Sequence, residues 1–112
     1  MLLSDVQVRQ YHDDGFTVAH DFLNHKEVDL LLEDLEEITQ GNTLSDFDES
    51  RVEMEPDQPP EGALVRRVYD PCTHYPRFVG LSENERILDC VEQLIGPDII
   101  FESSKVNMKP PQ

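Results

Sequence analysis

Residues 103–112 read SSKVNMKPPQ. Taken with the residues just before it, the stretch 99–108 has the composition of a β-strand, and Pro110-Pro111 marks its exit because proline cannot donate to a ladder. A strand needs neighbours. Working back along the chain, residues 63–69 (ALVRRVY) read as a second strand and residues 16–19 (FTVA) as a short third one. Helical segments lie between them, so the expected class is α+β, with helices packed on one side of a small antiparallel sheet. Three short strands make a poor sheet with exposed edges, and such edges expect further strands.

The helices announce themselves by their starts. Ser4-Asp5-Val6-Gln7 has the form of a capping box, predicting a helix over 5–14 that Gly15 ends by taking a left-handed conformation. Asn24-His25-Lys26-Glu27 repeats the device. Behind it Val28, Leu31, Leu32, Leu35 and Ile38 form one apolar face, with Glu33, Asp34, Glu36 and Glu37 opposite, up to Gly41. Ser82-Glu83-Asn84-Glu85 is a third box, opening a helix with Ile87, Leu88, Val91, Leu94 and Ile95 on one face, closed by Gly96-Pro97. Residues 71–78 read as a loop. Residues 41–62 lose all periodicity, are acidic, and hold Pro56, Pro59 and Pro60, so a mobile acidic loop is expected there.

The chain has 112 residues, 38% hydrophobic, with a formal net charge of -15. One domain, residues 1–112, is the most such a chain can hold. Residues 33–62 hold eleven Asp or Glu against one basic residue, Arg51. That surface excludes a phosphate-neutralising role on nucleic acid and adhesion to anionic membranes. No apolar run approaches the ~18 residues of a membrane span, and Ser4-Asp5 follow Met1-Leu2-Leu3 directly, without the pattern of an export signal. Cytoplasmic residence and free thiols at Cys72 and Cys90 are the matching expectations.

Few residues are arranged for chemistry. His12-Asp13-Asp14 contains H-x-D, the pair used in two-His-one-carboxylate iron sites. On a helix, positions i and i+2 lie about 200° apart and cannot share an ion. The pair is therefore read as a solvated helix end. His20, His25 and His74 stand singly, and the acidic run has no EF-hand pattern. No catalytic residue and no metal ligand is assigned. The basic residues tell more because they are scarce. Arg66 and Arg67 are adjacent on one strand and should point to opposite faces, so one points inward; Lys105 and Lys109 share a face of the last strand. An inward cation requires an anion, either a protein carboxylate or the carboxylate of a bound small molecule.

Three stretches, QYHDDGFTVAHDFL, ERILDCVEQLIGPDI and SKVNMKPP, together with RRVYDP and HYPRF, resemble the phytanoyl-CoA dioxygenase family of non-haem Fe(II), 2-oxoglutarate-dependent oxygenases. The resemblance implies the N-terminal portion of a double-stranded β-helix (jelly-roll, cupin-like) domain. Its strand matching KVNMKPP runs towards the first iron ligands, which would lie beyond Gln112. On this footing Fe(II), 2-oxoglutarate and a small-molecule substrate belong to the complete protein. The chain alone is expected to be inactive and to bind neither cofactor tightly. The resemblance further implies Arg67 as the cosubstrate-binding cation, or Arg66 if the register slips by one, and Lys105 as a second contact. The competing expectation is a non-enzymatic acidic module in which residues 41–62 recruit a basic protein.

Overall fold

The computed structural model describes residues 2–109, so the expected Pro110-Pro111 exit lies outside the described residues. The elements run α1 (Asp5–Asp14), α2 (His25–Thr39), β1 (Val52–Met54), β2 (Val65–Tyr69), α3 (Pro71–His74), α4 (Pro76–Ser82), α5 (Glu85–Ile95) and β3 (Lys105–Asn107). The sheet is antiparallel with order β1-β2-β3. The α+β class holds. The sheet's membership does not match the expectation, however, because residues 16–19 form no strand and β1 takes the third place.

Both N-terminal capping boxes form. Ser4 Oγ accepts from Gln7 N at 3.2 Å while Ser4 N donates to Gln7 Oε1 at 2.7 Å. Asn24 Oδ1 accepts from Glu27 N at 2.8 Å, and Asn24 N donates to Glu27 Oε1 at 3.1 Å. Each box satisfies two N–H groups that a helix start leaves orphaned. Gly15 closes α1 at φ 85, a conformation that costs a residue with a Cβ about 1 kcal/mol or more. The third box is corrected: Asn84, not Ser82, caps α5 by accepting from Arg86 N and Ile87 N, and Ser82 Oγ donates back to Val79 O.

Residues 71–78 are not a loop. Pro71 and Pro76 each occupy the first turn of a short helix, where proline's missing N–H is no loss. Residues 41–62 are likewise more than a loop. Val52 and Met54 are 1% and 5% exposed and belong to the core with Val65 and Val68. Leu44 N donates to Gly62 O and Ser45 N to Pro60 O, each at 2.9 Å. The Gln58 amide donates to the carbonyls of Glu55 and Leu64, and its oxygen accepts from Leu64 N. Main-chain pairing and one Gln side chain order a stretch whose composition has no period.

The core lies on one face of the sheet. Val52, Met54, Val65 and Val68 are covered by Leu35 and Ile38 of α2, by Leu44, Phe47 and Tyr75, and by Val106 and Met108. Full burial of a Val such as Val68, which is 0% exposed, stabilises the fold by about 1.5–3 kcal/mol. A second apolar region lies between α5 and the start of the chain, where Ile87, Cys90, Val91 and Leu94 line an open groove with Leu3, Thr17, Ala19 and Phe22. Arg86 ties α5 to α2 through Glu27 and lies over the Phe22 ring at 5.5 Å. The molecule is long, 50 × 30 × 27 Å, with a radius of gyration of 16.8 Å, against roughly 13 Å for a compact chain of this size. Ile100 and Phe101, 91% and 52% exposed, lie just before β3. No helix among the described residues is long and apolar enough to cross a membrane.

Candidate functional site: the polar face of the sheet

Residues paired across neighbouring strands point to the same face. Glu53 pairs with Arg67, Arg67 with Asn107, and Tyr69 with Lys105. These five side chains therefore share the face opposite the core. A β-bulge adds a sixth. The register runs Glu53↔Arg67 and then Met54↔Val65, which leaves Arg66 as the surplus residue. The bulge explains why Val65 and Val68, three apart, are both buried. It also allows both arginines to reach one carboxylate, although simple alternation would separate them.

Glu53 is that carboxylate. Arg66 Nη1 lies 3.5 Å from Oε1, and Arg67 Nε lies 3.4 Å from Oε2. Tyr69 Oη donates to Oε2 at 2.9 Å. This hydrogen bond, then burial, then the Glu53 charge hold the Tyr69 phenol above its ordinary pKa. The fit around Arg67 is imperfect. Its Nε is buried, yet the contact with Glu53 falls short of hydrogen-bond geometry. Among the described residues the terminal nitrogens of Arg67 take part in no hydrogen bond, and its side chain is 30% exposed.

The far edge of this face is set by a clamp at the end of β2. Asp70 turns with φ 48, in the left-handed region that Asp tolerates better than most residues. Its N–H donates to Ser104 O at 2.8 Å, and its Oδ1 accepts from Ser104 N at 3.3 Å. Ser104 Oγ accepts from Cys72 N at 3.1 Å. Ser104 is thereby fixed, and Lys105 falls opposite Tyr69 with its side chain in solvent.

Arg67 and Lys105 thus lie on one face, and Arg66 joins them because of the bulge. Sequence reasoning missed Glu53 and Tyr69. Arg67 has a protein carboxylate beside it, one of the two anions left open above, while its terminal nitrogens remain available to a second. A face carrying two guanidinium groups, an ammonium, a phenol and an amide around the single carboxylate of Glu53 keeps a positive excess that fits a further carboxylate ligand. It does not fit iron. Among the described residues no group of three His, Cys, Asp or Glu side chains is placed to hold a metal ion. His12 and Asp14 lie on α1, where their spacing points them apart. His74 is exposed on α3, and no disulfide joins Cys72 to Cys90.

No protein-family model matches the chain. Individual proteins do. The chain is 31% identical over 105 residues to a probable alpha-ketoglutarate-dependent hypophosphite dioxygenase of Stutzerimonas stutzeri, covering 94% of this chain and 37% of that protein. It is 27% identical over 108 residues to an ectoine dioxygenase of Bordetella bronchiseptica, with 96% of this chain and 33% of that protein covered. An ectoine dioxygenase of Streptomyces avermitilis is 24% identical over 108 residues, with 96% and 35% covered. The chain spans about a third of the length of the curated relatives it matches. Along nearly its whole length, then, this chain is similar to dioxygenases, one of them named for its dependence on alpha-ketoglutarate.

Proposed function

We propose that this chain is the N-terminal part of a non-haem iron, 2-oxoglutarate-dependent oxygenase of the phytanoyl-CoA dioxygenase type, acting on a small molecule in the cytoplasm. Its sheet would be the first portion of a jelly-roll barrel, with the polar face turned towards the barrel interior. Arg67 would grip a carboxylate of 2-oxoglutarate through its terminal nitrogens, Arg66 would add charge, and Lys105 would stand across from Tyr69 as a second cation. In the complete protein, iron with 2-oxoglutarate would supply the oxidising power for hydroxylation. No step of that reaction is assigned to residues of this chain, which would bind and orient the cosubstrate and close one side of its pocket.

The observation that carries this reading is the convergence of Arg66, Arg67 and Tyr69 on one face, with Lys105 facing Tyr69, in a chain similar to dioxygenases along 94% of its length. The acidic-module reading has less support, because residues 41–62 supply Val52 and Met54 to the core instead of standing free for a partner. The test is titration of 2-oxoglutarate into the 112-residue chain without metal, followed by the side-chain N–H resonances of the arginines. Weak saturable binding is expected. Arg67→Met should weaken it about tenfold or more, the worth of a charge-assisted hydrogen bond. Binding that is indifferent to Arg67→Met would refute the assignment; measurable 2-oxoglutarate decarboxylation by the chain with Fe(II) and ascorbate would instead refute its inactivity on its own.

A further inference from the structure

The seat on the polar face already holds a carboxylate. Glu53 offers one oxygen to Arg66 and the other to Arg67 and Tyr69. It is carried by β1, whose neighbouring residues Val52 and Met54 are buried and fix the backbone. The Glu53 side chain itself is 32% exposed, so it can turn aside without moving the strand. Its hold on the arginines is loose: contacts of 3.4 and 3.5 Å, with Arg67 Nε buried and lacking a hydrogen bond. Half-exposed ion pairs of this kind are weak. A carboxylate with better geometry would satisfy Arg67 where Glu53 does not.

We infer that Glu53 is a built-in competitor, an internal carboxylate that occupies the cationic seat and must be displaced by an incoming carboxylate ligand. This rests on the reading of the polar face as a carboxylate-binding site. The device has two effects. It keeps two guanidinium groups from lying side by side without an anion when no ligand is bound, and it sets a threshold that selects ligands able to take two donors at once. A monocarboxylate exchanges one carboxylate for another with little gain. A dicarboxylate whose second group reaches Lys105 retains a net advantage.

The experiment is a titration of 2-oxoglutarate, with acetate in parallel, into the metal-free chain, its Glu53→Gln variant and its Arg67→Met variant. Glu53→Gln is expected to bind 2-oxoglutarate about fivefold more tightly, because the competing charge is gone while the side-chain shape is kept. A residue that merely supported the fold would instead weaken binding when changed. Equal or weaker binding by Glu53→Gln, with Arg67→Met still weakening the interaction in the parent, overturns the competitor role and leaves the carboxylate site standing. Binding that ignores Arg67→Met overturns both. Should Glu53→Gln fail to fold, Glu53→Asp gives the same answer. Its shortened carboxylate withdraws from the seat, and affinity rises about twofold; an unchanged or lower affinity overturns the inference.

Discussion

Val68 is the most revealing position to perturb, because it is 0% exposed at the centre of the core cluster and lies on β2 between Arg67 and Tyr69. Val68→Ala removes two methyl groups. Their transfer to water accounts for about 1.6 kcal/mol. The space left behind, bounded by Val52, Met54 and Val65, adds about 1 kcal/mol if it collapses only in part. The total is about 2.5 kcal/mol, a large share of the stability of a small domain. Urea unfolding followed by far-ultraviolet circular dichroism measures it. With a slope of about 1–1.5 kcal/mol per molar, the midpoint falls by about 2 M. Leu32→Ala serves as control. Leu32 is 56% exposed on α2, and its loss should change stability by less than about 0.5 kcal/mol. If Val68→Ala moved the midpoint no more than Leu32→Ala, the sheet face would not be the core, and the placement of Arg67 and Tyr69 that depends on it would fail as well.

Two further outcomes follow from charge. The Asn24 backbone N–H, and after it Arg86, hold the Glu27 carboxyl below its ordinary value. A carboxylate depressed in this way contributes stability above its ordinary pKa and loses it as pH falls through the folded value. Melting temperature recorded from about pH 6 to about pH 3 should therefore drop more steeply for the parent than for Glu27→Gln, the two curves converging in acid; parallel curves would refute this. Tyr69 has the opposite sign. Its raised phenol pKa contributes stability below the ordinary tyrosine value, lost as pH rises through the folded value. In an ultraviolet titration one of the three tyrosines should ionise late and return to normal in Glu53→Gln, and three superimposable transitions in both proteins would exclude the Tyr69–Glu53 bond.

The parts of the fold legible in the sequence were those fixed by neighbours along the chain. The boxes at Ser4 and Asn24 formed because a cap and its partner lie three residues apart and need nothing else. The prolines misled. Pro71 and Pro76 suggest a loop, but at a helix start proline's fixed φ favours the helix. β1 was hidden because three residues set among acidic ones carry no period, and what makes them a strand is pairing with β2. The stretch 99–108 overstated β3, which pairs with β2 over Lys105–Asn107 while Met108 N adds one bond to Arg66 O. At the candidate site the expectation that one of the two arginines points inward fails, because the bulge puts Arg66 and Arg67 together on the face opposite the core. The need of an Arg for an anion was readable from charge alone. The identity of that anion was not, because Glu53 reaches Arg66 and Arg67 across a bulge, and no local pattern encodes where a register will slip.

The connection between β1 and β2 also bears on how the chain folds. It is residues 55–64, fastened by Gln58, and closing a loop of that length takes on the order of 10–100 ns. β3 is separated from β2 by three helices, so its pairing carries a larger loop-closure entropy. The hairpin that closes cheaply holds Glu53, Arg66, Arg67 and Tyr69 together. Opposite charges thus meet at the shortest-range step of sheet assembly, where their attraction favours the bulged register over its one-residue slips before the distant strand arrives.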